Sequence, residues 1–510
     1  MIEPQLDVRE IQGHSLRGFD TPHLTLLGLK LGDRDSARAW LSALSYRVDS
    51  LESVHQYRII RSFASVRTPR ILLNVAISAN GLERIGTDLS TVDDGLFLNP
   101  MGLNAAMLGD RVDASMMPTE YILGSTWDTT PDVLLIIGGD TADAMDAFAG
   151  QLRSAASMAG CSSVYEEQGA LLPGEAEHFG FRDGISQVGV RGTLSGVADH
   201  YLTLRFLAPS DPNATLFSKP GQRLVWPGQF VFGYSTQLPA TPLDPGPLSG
   251  EETPWMRNGS FLVFRRLRQD VAKFRSFLQQ QAADLSHALG RNVSPEEVGA
   301  LVVGRWKDGS PSLLTPSQPN PAISADDMLI NDFAYALGTP EMQVQGPDGR
   351  DRLVPAEPDD HLAQRCPHFA HIRKVNPRDL PTDQGIEGRT LMFQMLRRGI
   401  PYGAAYPTST EPTDRGLLFL AYQTSFKRQF QVLNSQWMNN SSAPELTNEG
   451  YDLLVGQSPV GTDRFGILRD QQGAPRASLA TTDRWVIPTG GGFFFTPSVS
   501  FLRSLNRPIP

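Results

Sequence analysis

The chain has 510 residues, of which 40% are hydrophobic and 20% charged, a composition typical of a globular protein with more than one ordinary core. Its formal net charge is -10 without a marked run of like charge, which argues against nucleic acid and anionic membranes as partners because both select basic patches. Its two cysteines, Cys161 and Cys366, are too few for a disulfide framework or a zinc site built from protein ligands alone.

Two features of the sequence bear on where the protein works. Its first residues, MIEPQLDVREIQG, have neither the basic nor the apolar region of a secretion signal, and they lack a twin-arginine pair. The most apolar stretch, residues 133–137, has the length of a strand and not of a membrane span. We therefore expect a cytoplasmic protein.

The first third of the chain alternates strand-like and helix-like segments. The patterns predict helices at 36–51, 79–85 and 142–156, the first capped by Asp35 or Ser36. They predict strands at 23–31, 70–77, 132–137 and 162–171. This order is roughly β-α-β-β-α-β, the ferredoxin-like arrangement.

A similar alternation of predicted strands and helices recurs in the second half of the chain. Strands are predicted at 229–234, 260–263 and 417–422, helices at 271–288 and 426–434, and Pro- and Gly-rich loops at 239–254 and 315–320. The sequence thus predicts an α+β protein of two related domains, residues 1–193 and 194–510, with the boundary near residues 191–196.

Common catalytic motifs are missing from the sequence. It has nine histidines, but no HExxH, CxxC, GxSxG, Walker A or GxGxxG pattern is found. The usual evidence for zinc enzymes, hydrolases, NTPases and dinucleotide-binding proteins is therefore absent.

Two segments nevertheless combine residues capable of chemistry. HFGFRDGISQ (178–187) places Asp183 between glycines that permit unusual backbone angles, and CPHFAHIRKVNPR (366–378) is followed by RRGIPYG (397–403). Taken alone, Asp183 is as readily explained by a turn or a helix cap, and most single histidines are surface or satisfied core residues.

Together the segments resemble dye-decolorising (DyP-type) haem peroxidases. The GxxDG motif of that family matches residues 180–184, its proximal-histidine segment 370–378 and its distal-arginine segment 396–399. Further matches, at 11–18, 303–306 and 414–423, follow in the same order, and the long insertions are similar to those of the larger, advanced members. His368 departs from the family pattern and leaves a second histidine that could be the iron ligand.

The resemblance implies two ferredoxin-like domains with antiparallel sheets, of the dimeric α+β barrel type, and one haem b per chain, mainly in the C-terminal domain. It implies His371 as the axial iron ligand, with Asp452 as the candidate acceptor of its second ring nitrogen. On the peroxide side it implies Asp183 as the proton-transferring base and Arg397 as the fixed positive charge, and the guanidinium of Arg397 also suits a haem propionate.

Other candidate residues follow from the same resemblance. Arg373 and Asn376 are candidate haem contacts, with ordinary loop hydrogen bonds as the alternative, and Leu417 and Phe419 are expected to line the peroxide face, whether or not they also pack the core. Trp437 and Tyr406 are candidate relays that pass electrons from bulky reductants at the surface, although Trp437 equally suits packing at a helix end.

The function implied is peroxide-dependent oxidation of dyes, phenols and similar small aromatic one-electron donors. The ordinary pKa of an aspartate carboxyl is about 3.9 and that of an imidazole about 6.5. A carboxylate base therefore keeps its charge at acid pH, and we expect activity to be favoured there. The alternative from another class is a haem-binding, iron-releasing (deferrochelatase-like) protein with little peroxidase turnover, and a haem-free α+β protein is a third possibility. Neither nucleic acid nor membrane is expected as a partner, and both a monomer and a homodimer remain open.

Overall fold

Strands from both halves of the chain form one antiparallel sheet that closes into a barrel. The fold is taken from a computed structural model that describes residues 3–63, 70–194, 200–336, 338–345, 349–408, 411–457 and 463–506. The strands of the sheet are β1 (His23–Lys30), β2 (Ile71–Ser78), β3 (Val133–Gly139), β4 (Ser162–Ala170), β5 (Ser260–Gln269), β6 (Leu396–Arg397), β7 (Ile400–Tyr402), β8 (Gly416–Gln423) and β9 (Val486–Thr496).

The order of the strands shows two ferredoxin-like halves. The N-terminal half runs β2-β3-β1-β4, and the C-terminal half runs β9-β5-β8, with β6 and β7 both paired to β8. The halves join at two seams, where β9 pairs with β2 and β7 pairs with β4. The expected α+β fold with antiparallel sheets is therefore present.

Helices and short strands surround the barrel. The α-helices are Gly13–Leu16, Arg34–Leu44, Leu51–Phe63, Ala79–Arg84, Ala142–Met158, Val271–Leu289, Pro295–Val303, Pro321–Ser324, His371–Val375 and Val499–Ser504. Shorter 3-10 turns lie at Met101–Asn104, Pro173–Glu175, Pro227–Gln229, Pro254–Met256 and Glu387–Phe393, and wide π-helical turns at Phe426–Phe430 and Val432–Met438. The small strands are Gly189–Val190, Phe217–Lys219, Gln222–Val225, Ser235–Gln237, Pro245–Leu248, Met342–Gln345, Asp351–Val354, Arg464–Arg469 and Pro475–Thr481.

Most predicted elements are present with shifted ends, but four predictions were wrong in part. The helix predicted at 36–51 begins at Arg34 under an Asp33 cap and ends at Leu44, and a second helix starts at Leu51. The apolar run predicted as a strand at 229–234 is a 3-10 turn and loop. The helix predicted at 426–434 has the wide π geometry, and the loop at 239–254 contains the strand Pro245–Leu248.

The barrel separates two apolar clusters because alternate residues of a strand point to opposite faces. On β8, Leu418 and Leu420 pack inside the barrel with side chains of β1 and β3. Leu417 and Phe419 therefore point outward, toward the C-terminal helices and loops. This outward face forms one wall of the candidate site.

Two further predictions concern the whole chain. Part of the domain boundary predicted near 191–196 lies outside the described residues, so the division at 193 stays a prediction. Within the described ranges, every helix is too short or too polar to cross a bilayer.

Candidate functional site

A cavity of about 890 Å³ lies against the outward face of the C-terminal half of the barrel. Its walls come from β5, β8 and β9, from the loop after β4 and from the helix His371–Val375. The residues predicted from sequence that line it are His371, Asn376, Asp183, Arg397, Leu417 and Phe419. The fold thus brings together residues from distant segments of the sequence.

His371 enters the cavity as the first residue of its helix, and Asp452 lies behind its ring. The Nδ1 atom of His371 is 2.6 Å from Oδ2 of Asp452, whose side chain is fully buried. The other carboxylate oxygen of Asp452 accepts hydrogen bonds from the backbone N–H groups of Leu454 (2.9 Å) and Val455 (3.0 Å). Burial would raise the pKa of Asp452, but the adjacent imidazole and these donors hold it below its ordinary value.

This contact fixes what the second nitrogen of His371 can do. A carboxylate only accepts hydrogen bonds, so the proton of a neutral imidazole sits on Nδ1 and the lone pair on Nε2 is left free. Nε2 makes no hydrogen bond to any residue that the structure describes, and the side chain lines the cavity. That arrangement suits a nitrogen ligand of a metal.

The competing histidine, His368, has a different environment. Its Nδ1 lies 2.7 Å from Oε2 of Glu445, and the side chain is buried away from the cavity lining. Of the two histidines in the segment, His371 is therefore the one that faces the cavity.

Asp183 reaches the cavity from a tight loop. Its backbone N–H donates to the carbonyl of Glu175 at 3.0 Å, and its Oδ1 accepts from the N–H of Gly184 at 2.6 Å. Gly180 and Gly184 have φ values of 93° and 75°, in the left-handed region that favours glycine, so both flanking glycines are needed for this turn. The side chain is exposed toward the cavity.

Arg397 is tied to the same loop through hydrogen bonds. Its guanidinium donates to the carbonyl of Ser186, three residues after Asp183, and its own carbonyl accepts from Nε2 of Gln187 at 3.2 Å. Arg397 lies on β6, which pairs with β8 through Ala421. The carboxylate and the guanidinium thus enter the cavity from elements that are bonded to each other.

Glu177 is a cavity residue that the sequence reasoning missed. One carboxylate oxygen accepts from the N–H of Phe181 (3.0 Å), and the other from the N–H of Phe179 (2.9 Å) and Nε2 of Gln269 (2.5 Å). Burial, together with the negative charge of Asp183, raises the pKa of Glu177 to about 7 despite these donors. Glu177 lies one residue before the segment 178–187, and no pattern in the sequence indicated that it would line the cavity.

Two arginines, Arg305, which is buried, and Arg378, which is half-buried, were also missed. Arg305 and Arg378 both line the cavity, and both donate to Oδ1 of Asn331 at 2.8 Å. Burial and the neighbouring charge of Arg378 lower the pKa of Arg305 to about 9. Neither guanidinium forms an ion pair with a described residue, although Glu357 and Asp379 are close enough to raise the pKa of Arg378 against the lowering effect of burial. Both guanidiniums therefore suit an anionic ligand in the cavity. Arg305 lies in the segment VGRW and Arg378 in the segment NPR, and both segments match the family. Those matches could have identified the two arginines as candidate site residues.

Arg373, a predicted haem contact, does not line the cavity. Its fully buried guanidinium forms two hydrogen bonds with Glu445 (2.8 and 2.9 Å) and stacks on Tyr335. It also donates to the carbonyls of Asp360 and Cys366. These partners use its donors in a buried network, so a haem contact is not supported at this position.

The two predicted relay residues also lie apart from the cavity. Trp437 is fully buried, donates from Nε1 to Asp383 at 2.9 Å and packs edge-on against Phe393, so it is not a surface tryptophan. Tyr406 is partly buried between the guanidinium groups of Arg275 and Arg415. A relay role for either residue stays a prediction.

Sequence comparisons relate this chain to peroxidases. The family profile described as Dyp-type peroxidase, C-terminal, matches residues 341–454. The dye-decolorizing peroxidase of Mycena epipterygia is 31% identical over 467 residues, covering 86% of this chain and 76% of that protein. The chain belongs to the dye-decolorising peroxidase family.

Other relatives of this dye-decolorising peroxidase extend the match. Dye-decolorizing peroxidase msp1 of Mycetinis scorodonius is 28% identical over 519 residues, covering 98% of this chain and 88% of that protein. The solved structure of an ancestral D-type dye-decolorizing peroxidase superposes with a TM-score of 0.78 at 28% identity, covering 98% of this chain and 99% of that one. The protein is accordingly a peroxidase of a haem-dependent family.

The cavity of this dye-decolorising peroxidase fits a haem by its donor set. A porphyrin is a large, mostly apolar plane with two carboxylates, and the cavity offers an imidazole, apolar walls at Leu417 and Phe419, and the guanidiniums of Arg305 and Arg378. Within the described residues no cluster of three or more His, Cys, Asp or Glu side chains could hold a bare metal ion. Iron carried by a porphyrin needs only one protein ligand here.

Proposed function

We propose that this protein binds one haem b per chain and uses hydrogen peroxide to oxidise dyes, phenols and similar one-electron donors, with activity favoured at acid pH. The observation that carries the proposal is a single cavity lined by His371, Asp183 and Arg397. Peroxidase chemistry needs a basic ligand, a proton-transferring group and a fixed positive charge around one iron.

In this proposal His371 would hold the haem iron through Nε2, the ring nitrogen that Asp452 leaves free. The carboxylate of Asp452, 2.6 Å from Nδ1, increases the basicity of the imidazole and fixes the orientation of its ring. Arg305 and Arg378 would pair with the haem propionates, since both line the cavity and neither forms an ion pair with a described residue. Asn376 lines the cavity close to the ligand and contacts the porphyrin.

Asp183 and Arg397 act on the peroxide. A haem bound here would supply the electrons that break the O–O bond. Asp183 takes a proton from the nearer peroxide oxygen and returns it to the departing one, while Arg397 stabilises the negative charge that develops there. The bond from Arg397 to the carbonyl of Ser186 keeps the two groups on one side of the cavity.

The acid preference follows from the type of base. A carboxylate remains ionised at pH values at which a histidine base would be protonated. Both cysteines are buried free thiols, which supports a reducing compartment, and we place the reaction in the cytoplasm.

An Asp183→Asn variant tests the assignment. Because the amide cannot accept the proton, the rate of the haem absorption change after peroxide addition should fall by about 100-fold or more. Haem content should stay at the wild-type level, since Asp183 is not an iron ligand. Glu175→Gln, in the same loop with its side chain 64% exposed, is the matched control and should react as the wild type does.

Two results would contradict the proposal. One is an unchanged rate in Asp183→Asn, which would remove the proposed base. The other is the appearance of iron-free porphyrin without oxidation of the donor, which would favour the iron-releasing alternative.

A further inference from the structure

A group of basic side chains lies outside the cavity, between two N-terminal helices. Arg17 directly follows the helix Gly13–Leu16, whereas His55 and Arg58 belong to the helix Leu51–Phe63. Nη1 of Arg58 donates to the carbonyl of Arg17 at 2.7 Å and so joins the two segments. Arg17, His55 and Arg58 do not line the cavity, and we call these three residues the basic cluster.

Three nitrogen atoms of the basic cluster are buried without a hydrogen-bond partner in the part of the chain that the structure describes. They are Nδ1 and Nε2 of His55 and Nε of Arg17. His55 is only 4% exposed, so its ring nitrogens have little access to bulk water. A buried donor without an acceptor destabilises a protein, and most buried polar atoms in native proteins are paired. These atoms therefore point to a ligand that accepts hydrogen bonds.

The charge around these atoms is mostly positive. Burial and the charge of Arg17 lower the pKa of His55 to about 4, so its ring is neutral near pH 7. Burial and the charge of Arg58 lower the pKa of Arg17 to about 10, against the opposing effect of Asp20. Asp20 lies 3.5 Å from the guanidinium of Arg58, but its side chain is 60% exposed. One solvated carboxylate does not balance two guanidiniums, so the local charge favours an anion.

A third guanidinium, that of Arg398, adds to this charge. Arg398 follows β6, and its donors reach three backbone carbonyls at 2.7, 2.8 and 3.3 Å. Burial lowers the pKa of Arg398 to about 10, and repulsion by Arg58 contributes. The exposed ring of His200 lies 6.4 Å from that of His55 and marks the side of the basic cluster that is nearest to solvent.

The ligand that these groups suit is small, anionic and rich in hydrogen-bond acceptors. A neutral imidazole donates one N–H, and Arg17 donates another from Nε. Guanidinium groups bind the oxygen atoms of phosphate and sulfate through charge-assisted hydrogen bonds. The burial of His55 excludes a bulky ligand such as nucleic acid. A tetrahedral oxyanion meets all of these requirements.

We propose that Arg17, His55 and Arg58 bind one small oxyanion, of the size of phosphate or sulfate, at a site separate from the peroxidase cavity. The anion accepts from the ring N–H of His55 and from Nε of Arg17, while Arg58, 31% exposed, closes the site toward solvent. Binding adds a second link between the two helical segments. It therefore stabilises the native chain, because only the fold brings these segments together.

The test measures the uptake of radiolabelled inorganic phosphate by equilibrium dialysis, at an ionic strength held constant with sodium chloride. Haem-loaded protein is used, so that the haem propionates occupy the guanidiniums of the cavity. The wild type should bind one phosphate per chain with a saturable curve. Its Tm should rise over the same range of phosphate concentration.

His55→Phe is the decisive variant, because it keeps an aromatic ring and removes only nitrogen atoms that have no partner. It should bind phosphate more weakly by about tenfold or more, and phosphate should no longer raise its Tm. Without phosphate its Tm should be at least that of the wild type. Arg58→Gln, at a partly exposed position, should weaken binding by a similar factor.

His287→Phe is the matched control. His287 is exposed on the helix Val271–Leu289, far along the chain from the basic cluster. This variant should bind phosphate as the wild type does.

Three outcomes would overturn the oxyanion site. They are the absence of saturable uptake in the wild type, equal uptake in His55→Phe and the wild type, and a loss of uptake in Arg378→Gln but not in His55→Phe. The last result would place the phosphate in the cavity. Failure of the wild type to bind haem would instead overturn the peroxidase proposal alone, because the basic cluster makes no use of the cofactor.

Discussion

The carboxylate behind His371 determines what the imidazole can offer to a cofactor. Asp452 is fully buried, and its oxygens are occupied by the ring Nδ1 and two backbone N–H groups. Replacing Asp452 by Asn leaves the size of the side chain but removes the charge that strengthens the imidazole as a ligand. We expect Asp452→Asn to lower peroxidase activity or haem affinity by about 10- to 100-fold, measured by steady-state kinetics and haem titration.

The chain offers a second His–Asp pair as a control for this prediction. Oδ1 of Asp359 is also 2.6 Å from a histidine Nδ1, that of His361, but both side chains are more than half exposed. Asp359→Asn should therefore leave both peroxidase activity and haem affinity unchanged. A loss of similar size in the two variants would show that the Asp452 effect is not specific to the ligand histidine.

The buried carboxyl of Glu177 gives a pH-dependent prediction. Its pKa rises from an ordinary 4.5 to about 7 on folding, so the native state binds more protons than the unfolded chain between these values. Its contribution to stability is complete below pH 4.5 and is lost as the pH rises through 7, by at most about 3 kcal/mol. Glu177→Gln has no such loss, so its Tm relative to wild type should rise from pH 5 to pH 8.

The exposed neighbour Glu175 provides the comparison for Glu177. Its side chain is 64% exposed, so Glu175→Gln should show a Tm difference from wild type that does not vary with pH. A Tm difference for Glu177→Gln that is equally flat would mean that Glu177 is ionised throughout this range.

Strand β5 has one face toward the cavity and the other toward the interior of the barrel. Arg265 points to the cavity, and Arg266 points to the other face, where it pairs with Glu167 of β4 and with Asp414, both at 2.7 Å. The guanidinium of Arg266 also stacks over Tyr402 of β7 at 4.2 Å. Since β4 and β7 form one seam of the barrel, this contact links the two halves.

Removing Arg266 should weaken that seam. Arg266 is 4% exposed, so Arg266→Met leaves the partly buried Glu167 without its partner, and we expect a loss of about 3 kcal/mol in the free energy of unfolding. Equilibrium unfolding in urea measures this loss in the free energy of unfolding. Arg268→Met on the same strand is the control, because Arg268 is 41% exposed, and its loss should be within about 1 kcal/mol. Equal losses would contradict a special role for Arg266.

Local pattern predicted the barrel strands well and the irregular segments poorly. The apolar run of β3 is buried on both faces, so its length and its apolar composition both point to a strand. Phe230, Val231 and Phe232 are equally buried, but they lie in a turn and loop after Pro227, outside the described strands. Burial without pairing depends on tertiary contacts, which periodicity cannot reveal.

The residues of the candidate site likewise fall into those that the sequence predicted and those that only the fold reveals. Asp183, Arg397 and His371 were visible because they lie in contiguous motifs whose family resemblance carries a role. Glu177 comes just before one motif, and Arg305 and Arg378 lie inside matched segments, but only the fold shows that all three line the cavity. Arg373 was misplaced because two positions along a helix from His371 the side chain points away from the cavity.

The whole molecule assembles the site from both halves of the barrel. Asp183 follows β4 in the N-terminal half, whereas His371 and Arg397 belong to the C-terminal half, and the seam between β4 and β7 holds the halves in register. A ligand that binds this composite cavity binds only the folded chain. Its binding free energy therefore adds to the stability of the entire barrel.

Haem loading should accordingly stabilise the protein globally. With free haem at about 100 times its Kd, the gain is about 2.7 kcal/mol, which should appear as a higher Tm by calorimetry. His371→Ala should lose most of this gain, because the iron has no ligand. His368→Ala should keep it, because His368 is held by Glu445 outside the cavity lining. The reverse ranking would assign the iron to His368.

The most direct test is a crystal structure of the haem-loaded protein, with the iron located by its anomalous signal. We predict iron bonded to Nε2 of His371, with Asp183 and Arg397 on the opposite face of the porphyrin. Iron bonded to another residue, or Asp183 on the same face as His371, would contradict the account.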